Sequence, residues 1–187
     1  VVGELRYENV EGRMSEFLEE YKEHKTEMLD FGLPSMNWVF EMKIDVLLNC
    51  SSLLSLRINQ LEFTGGAHAN SLTNYLTIDL RTGKILNLDE LFIEDFEQKL
   101  LSISEATFKR RVNLDLDTNL VDTHYEFSEG TFMLPPNFSV GAKGLHFHYN
   151  PYDLGAFALG AISFEIPYLE ILPIIDTNIL LLEPFEG

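Results

Sequence analysis

The stretch WVFEMKIDVLLNC, residues 38–50, decides the fold class because its apolar side chains recur at every second position. The residues on the apolar face are Trp38, Phe40, Met42, Ile44, Val46, Leu48 and Cys50. The intervening positions include Glu41, Lys43 and Asp45. Alternation with a period of two predicts a long strand that is buried on one face.

The segments around this strand carry both helical and strand patterns. Residues 11–30 place Met14, Phe17, Leu18 and Tyr21 at helical spacing, and residues 89–111 carry a second helical pattern. Further strands are predicted at 54–63, 76–80, 138–140, 145–149 and 162–166. We therefore expect an α+β protein with an antiparallel β-sheet and helices packed on one face.

The chain length fits one compact unit built from two sequence halves. At 187 residues the chain can bury about 70% of its unfolded surface without disulfides. We expect an N-terminal half, 1–87, with a helix and long strands, and a C-terminal half, 88–187, with a helix, a hairpin and the last strand. The single cysteine, Cys50, excludes an internal disulfide and lies on the apolar phase of its strand, as a buried, inert thiol would.

Acidic residues outnumber basic ones, with 30 Asp and Glu against 13 Lys and Arg, for a formal net charge of −17. From Val112 to the C-terminus there is one base, Lys143, against eleven acids, so that part carries 1 − 11 = −10. Such a field repels nucleic acid and anionic membranes and attracts cationic proteins. The alternative is that the acidity serves solubility alone.

No apolar run approaches the roughly 20 residues that a transmembrane helix needs. The sequence opens with Val-Val-Gly and no methionine, so we expect a signal segment or an N-terminal lipid anchor, as in a lipoprotein, to lie outside it.

A glycine pair followed by a histidine marks the first candidate binding loop. Gly65, Gly66, His68 and Asn70 follow a strand pattern, and we call residues 65–70 the glycine loop. Glycines allow a backbone to approach a ligand closely, and a histidine can act as a ligand or a base near neutral pH. The alternative is a tight turn whose imidazole binds neighbouring carbonyl groups.

A second candidate surface lies in residues 149–160. Tyr149, Tyr152 and Asp153 introduce a run of small and apolar residues, which predicts a loop with polar tips. Aromatic side chains in such loops stack on sugars or anchor protein interfaces. The alternative is that Tyr152 and Phe157 fill the core beneath an irregular connection.

Metal-binding patterns in the sequence are incomplete. His146 and His148 lie two apart on one strand face, which suits zinc, but a third ligand such as His68, His124 or Asp153 must come from elsewhere. We expect this pair on the wetter strand face. The calcium-loop spacing that starts at Asp115 and ends at Glu126 has Leu120 where the sharp turn requires glycine.

Several motifs together resemble a known bacterial family. They are FTGGAH at 63–68, DLRTGK at 79–84, LDELF at 88–92, NPYDL at 150–154 and IPY at 166–168. Their order resembles the extracytoplasmic domain of unknown function in the C-terminal region of the anti-sigma factor RsiV and in the accessory domain of the peptidoglycan deacetylase PdaC. The resemblance implies an α+β envelope domain. In the anti-sigma factor such a domain binds lysozyme, and in the deacetylase it accompanies a separate catalytic domain.

Charge, motifs and resemblance together predict a non-catalytic binding or sensing module for a cell-wall glycan or a cationic protein such as lysozyme. Its predicted surface combines the glycine loop, residues 149–155 and the acidic C-terminal part. No cofactor or catalytic residue is predicted. Two alternatives stay open: a metal-assisted hydrolase of envelope glycan or peptide that uses His68, His146, His148 and Asp153, and a structural interaction domain.

Overall fold

The computed structural model describes residues 10–178, which form two antiparallel sheets and three α-helices. The helices are α1 (Val10–Asp30), α2 (Glu97–Arg111) and α3 (Tyr168–Ile171). The strands are β1 (Val39–Asn49), β2 (Leu53–Phe63), β3 (Asn70–Asp79), β4 (Lys84–Ile85), β5 (Phe138–Val140), β6 (Gly144–Tyr149) and β7 (Ile162–Pro167). The predicted α+β class is confirmed.

The strands form a four-stranded sheet in the order β1-β2-β3-β4 and a three-stranded sheet in the order β5-β6-β7. The sequence predicted a single sheet, and the difference arises because the hairpin β5–β6 pairs with β7. In the register of this hairpin Phe138 lies opposite Phe147 and Val140 lies opposite Leu145, as the alternation predicted. His148 lies opposite Ser163 in the neighbouring pair.

The residues fall into two compact units. Among the described residues, unit 1 comprises 10–43 and 59–72, and unit 2 comprises 44–58 and 73–178. The predicted halves, 1–87 and 88–187, were defined by their position in the sequence, and this division stays a prediction. No helix within residues 10–178 is long and apolar enough to cross a membrane.

Unit 1 packs α1 against the start of β1 through aromatic rings. The ring of Phe17 lies 5.6 Å from that of Trp38 and 5.5 Å from that of Phe40. The guanidinium of Arg13 lies over the Phe40 ring at 5.2 Å and forms a 2.7 Å ion pair with Glu62. This arrangement satisfies the charge of Arg13, which is only 9% exposed.

Unit 2 is built around Phe108 of α2, which is fully buried. Its ring contacts the rings of Tyr125, Phe127, Phe132, Tyr149 and Phe164 at centroid distances between 5.3 and 6.3 Å. Edge-to-face pairs dominate this cluster, and such geometry adds to the stabilisation from apolar burial. The second sheet is therefore fixed to α2, and both ends of β6 are rigidly placed.

Two local expectations differ from the structure. Ile44 and Val46 are 53% and 61% exposed, although alternation placed them on the buried face. Alternation identifies the face of a strand, whereas burial also requires another element to cover that face. The helical pattern at 89–111 is divided into a 3₁₀ turn, Asp89–Leu91, and α2, with Asp95 between them at a φ of 62°.

Candidate functional site

The strand β6 leads into a tight turn at residues 150–153, which we call the tyrosine turn. The amide of Asp153 donates to the carbonyl of Asn150 at 3.1 Å, and the Asp153 carboxylate accepts from the Asn150 amide at 2.7 Å. Pro151 occupies the second position, and Tyr152 occupies the third with a φ of 75°. Turns with a positive φ at this position normally carry Gly or Asn. A tyrosine there is conformationally costly, and it is 59% exposed.

Asn150 ties the tyrosine turn to the β3 backbone within unit 2. Its side-chain oxygen accepts from the Thr73 amide at 2.7 Å, and its side-chain nitrogen donates to the Thr73 carbonyl at 3.1 Å. Asn137 acts in parallel, since it accepts from the Tyr75 amide at 2.8 Å and donates to the Thr73 carbonyl at 2.6 Å. These two amides satisfy backbone groups along β3, where β4 pairs only with Ile78 and Asp79.

His148 supports the tyrosine turn from below. Its Nδ1 lies 2.7 Å from the Ser163 hydroxyl, and its Nε2 lies 3.3 Å from the Asn150 side-chain oxygen. Because Thr73 fixes this oxygen of Asn150 as an acceptor, His148 carries its proton on Nε2 and accepts from Ser163. Burial lowers the pKa of His148, although the hydrogen bond to Asn150 and the charge of Asp153 oppose this effect. The predicted wet environment of His148 is wrong, since the residue is 5% exposed.

A charged group lies next to His148 on the strands of the first sheet. The Arg57 guanidinium donates to the Asp45 carboxylate at 2.9 and 3.2 Å, and the hydrogen bond from Asp45 raises the pKa of Arg57. The Tyr75 ring meets the His148 ring edge-on at 5.8 Å. Burial raises the pKa of Tyr75, while its hydrogen bond with Arg57 opposes the shift. This network fixes the environment of the turn without presenting a reactive group.

An acidic segment lies beside the tyrosine turn. The Glu126 amide donates to the Leu154 carbonyl at 3.0 Å. A Cβ added at Gly155 would lie 3.4 Å from the His124 carbonyl oxygen and 3.6 Å from the Glu126 side chain. Glu126 and Asp153 are both exposed, and Asp153 follows the exposed Tyr152 directly in the chain.

Tyr149 does not contribute to this surface. It is 5% exposed, its ring packs on Phe108, and its hydroxyl donates to the Met133 carbonyl. Burial raises the pKa of its hydroxyl. Tyr149 therefore packs in the core, because the apolar phase of β6 points its side chain inward, whereas Tyr152 is 59% exposed and does not fill the core.

The glycine loop belongs to unit 1 and has a different construction. Gly65 and Gly66 adopt φ values of 106° and 100°, and a Cβ added at either would meet nothing within 4 Å. These glycines are required by backbone conformation rather than by close packing. His68 and Asn70 are exposed, and Nδ1 of His68 lies 3.3 Å from the Ala69 carbonyl. The roles of these four residues in binding stay a prediction.

The residues considered as metal ligands have other partners. His146 forms a 3.0 Å ion pair with Glu165. His148 binds Ser163 and Asn150, and no three His, Cys, Asp or Glu side chains among residues 10–178 are grouped to hold a metal ion. In the calcium-like segment Asn119 instead accepts from the Val121 amide and begins a 3₁₀ turn. The structure thus gives no support to the metal-assisted hydrolase.

The sequence did not reveal the contributions of Arg57, Tyr75, Asn137 and Asn150. Asn150 carried a signal, because an Asn-Pro pair favours the start of a turn. Arg57 stood out only as a charge within a strand otherwise rich in apolar residues. The contacts of Asn137 and Asn150 with β3 join residues 62 to 77 positions apart, which a pattern in one sequence does not pair.

Comparisons with known proteins agree with this picture. Residues 89–169 match a family model described as a protein of unknown function, DUF3298, and residues 4–71 match a model described as deacetylase PdaC. The predicted resemblance to a domain of unknown function related to the PdaC accessory domain is confirmed. No curated protein matches the chain.

Solved structures of DUF3298 family members are similar to this chain. A member from Bacteroides fragilis is 26% identical with a TM-score of 0.77, and the match covers 91% of this chain and 70% of the other. A DUF3298 family protein from Pseudomonas aeruginosa is 19% identical with a TM-score of 0.64, covering 83% of this chain and 69% of the other. The second likeness concerns the fold alone. The DUF3298 description indicates no catalytic activity, whereas the model matched by residues 4–71 is named after a deacetylase.

Proposed function

We propose that this chain, with its similarity to DUF3298 proteins and to PdaC, is a non-catalytic binding module of the bacterial cell envelope, located outside the cytoplasm. Its ligand is a cationic protein of the lysozyme type, and its main contact surface is the tyrosine turn. The observation that carries this proposal is Tyr152, an exposed aromatic side chain held at a φ of 75° in a turn that the Asp153 carboxylate closes by accepting from the Asn150 amide.

The geometry of the turn supports recognition of a protein. Hydrogen bonds from Asn150 and Asp153 hold the backbone, so Tyr152 loses little conformational freedom on binding. Tyrosine is among the side chains that contribute most to protein interfaces. The ring of Tyr152 contacts that of Phe157 at 5.4 Å.

The charge distribution supports a cationic partner. The sequence from Val112 onward carries one base and eleven acids, and Glu126 and Asp153 lie at the turn itself. Complementary charge accelerates encounter and disfavours anionic partners. The glycine loop, with Gly65, Gly66, His68 and Asn70, is the second proposed contact, and its union with the tyrosine turn in one surface stays a prediction.

A cell-wall glycan is the second candidate ligand. Tyr152 offers an exposed ring face, and aromatic rings stack on the apolar faces of sugars. The match to the PdaC model favours association with the cell envelope, and this location also favours a glycan ligand. If neither ligand binds, a purely structural interaction domain is the remaining hypothesis.

Calorimetric titration with lysozyme and with peptidoglycan fragments at physiological salt tests the proposal. We expect lysozyme to bind, with an affinity that falls as salt is raised because the charges are screened. The variant Tyr152→Asn should bind about tenfold more weakly, as expected for loss of an aromatic anchor. Absence of binding to both ligands would remove the proposed function.

The matched control is Leu169→Ser on α3. Leu169 is 86% exposed and follows the end of β7 at which Pro167 lies opposite Gly144. The tyrosine turn follows the other end, where Ile162 lies opposite Tyr149. This control removes an exposed apolar side chain far from the turn, so lysozyme affinity should not change. An equal loss in both variants would contradict the role of the turn.

A further inference from the structure

The C-terminal end of α1 in unit 1 is fixed by a well-defined cap. The Leu33 amide donates to the Met28 carbonyl at 2.8 Å, and the Gly32 amide donates to the Leu29 carbonyl at 3.0 Å. Gly32 has a φ of 67°, and Pro34 follows shortly after. These two bonds form a Schellman motif, which ends a helix with a glycine in the left-handed conformation. The backbone of residues 28–33 is therefore held in one geometry.

This cap presents apolar side chains to solvent. Leu29 and Phe31 are 66% and 69% exposed, and Leu33 and Met36 are each about half exposed. Four large apolar side chains within eight residues make a patch of the kind that marks interaction sites rather than a scattered exposed residue. A hydrogen-bonded backbone holds them there, so their exposure is a fixed feature of unit 1.

The same end of α1 carries negative charge that is not neutralised within the helix. The last turn contains acidic residues and no basic residue. The C-terminus of a helix already bears a partial negative charge and favours cations. A groove of about 600 Å³ next to it is lined by Lys22, Glu23, Thr26, Glu27, Asp30 and Phe31. One base against three acids gives this groove 1 − 3 = −2.

We propose that this groove binds a basic amphipathic segment of a partner protein. Apolar side chains of the segment contact Leu29 and Phe31, and its Lys and Arg side chains meet Glu23, Glu27 and Asp30. The negative charge of the groove favours a basic partner segment, because it would repel an anionic membrane or a nucleic acid. The groove is lined by residues of unit 1 and the tyrosine turn consists of residues of unit 2, so the inference does not depend on the proposed function.

The probe is a synthetic helical peptide of Leu and Lys, arranged so that Leu occupies one face. Trp38 is the only tryptophan, and its ring lies 5.2 Å from His24 and 5.7 Å from Tyr21 on α1, so its fluorescence reports binding. We expect the peptide to bind the whole chain. Phe31→Ser should weaken the affinity about tenfold, and Glu23→Gln with Glu27→Gln about threefold.

The control pair is Asp115→Asn with Asp117→Asn, which removes the same charge from an exposed segment of unit 2. This pair should leave peptide affinity unchanged, as should Tyr152→Asn, and a peptide of Leu and Glu should not bind. Circular dichroism should show unchanged helix content in every variant. The inference is overturned if Phe31→Ser binds the peptide as tightly as the unmodified chain. It is equally overturned if the Asp115 and Asp117 pair weakens binding as much as the Glu23 and Glu27 pair.

Discussion

The glycine loop and the tyrosine turn both place the backbone in the left-handed region, but they do so in opposite ways. Gly65 and Gly66 reach it without a Cβ and with no neighbour near the position where one would stand. Tyr152 reaches it against the preference of its side chain, within a turn bonded to Asn150 and Asp153. The glycine loop adopts its conformation because glycine permits a positive φ. The tyrosine turn adopts its conformation because a hydrogen-bond network outweighs the conformational cost at Tyr152.

This difference supports the proposal that the tyrosine turn is a recognition surface. A strained and exposed aromatic residue persists only when surrounding contacts hold it, and here those contacts reach β3 and β7 through Asn150 and His148. A glycine pair sets the direction of the backbone, but it has no side chains that would hold the neighbouring residues in one conformation. Variants in the two regions should therefore differ in which property they change, stability or affinity.

Removing the amide of Asn150 should give the largest effect. Asn150→Ala removes the hydrogen bonds of this side chain with the Thr73 amide, the Thr73 carbonyl and His148, so we expect a loss of about 2–3 kcal/mol in the free energy of unfolding. Urea denaturation followed by circular dichroism measures it. As a control, Asn119→Ala removes a single exposed bond to Val121 and should cost less than about 1 kcal/mol. Equal costs in the two variants would show that the network does not hold the turn.

Substitution in the glycine loop should have a smaller effect. Gly66→Ala forces a Cβ into a backbone with a φ of 100°, and we expect a cost of about 1–2 kcal/mol although no atom is contacted. Gly12→Ala makes the same change inside α1, where alanine is preferred, and should stabilise by about 0.5 kcal/mol. Thermal unfolding compares the two. Stabilisation by Gly66→Ala would contradict the assigned conformation.

Acid should weaken the tyrosine turn through His148. Its pKa is lowered in the folded state by burial, so the unfolded chain binds more protons than the folded chain as the pH falls below about 6.5. Stability should therefore decline from pH 7 towards pH 5. His148→Gln should show a shallower decline in urea denaturation across this range. An unchanged slope would mean that other groups dominate the acid response.

The sequence predicted much of the scaffold because that scaffold follows local periodicity. The helix at 11–30, the alternating strand that starts near Trp38 and the β5–β6 hairpin all appear where the patterns placed them. The exposure of Ile44 and the burial of His148 were not predictable in this way. Both depend on which element covers a strand face, and that is decided by contacts distant in sequence.

The candidate site shows the same limit to what a sequence pattern predicts. Tyr152 and Asp153 could be proposed from the sequence because turn residues next to aromatics are visible there, and their role in binding stays a prediction. Arg57, Tyr75 and Asn137 were missed because each is ordinary in its own segment and acts only through remote partners. Tyr149 was misassigned to the surface because its strand phase and its position beside the turn gave conflicting indications.

The affinity of lysozyme for the Tyr152→Asn variant tests the central claim most directly. Asparagine tolerates a positive φ, so the folded state should keep its stability within about 0.5 kcal/mol while the exposed ring is lost. We predict that calorimetry at physiological salt shows lysozyme binding about tenfold more weakly to this variant than to the unmodified chain, with an unchanged melting temperature. Equal affinity in the two proteins, at equal stability, would contradict the account.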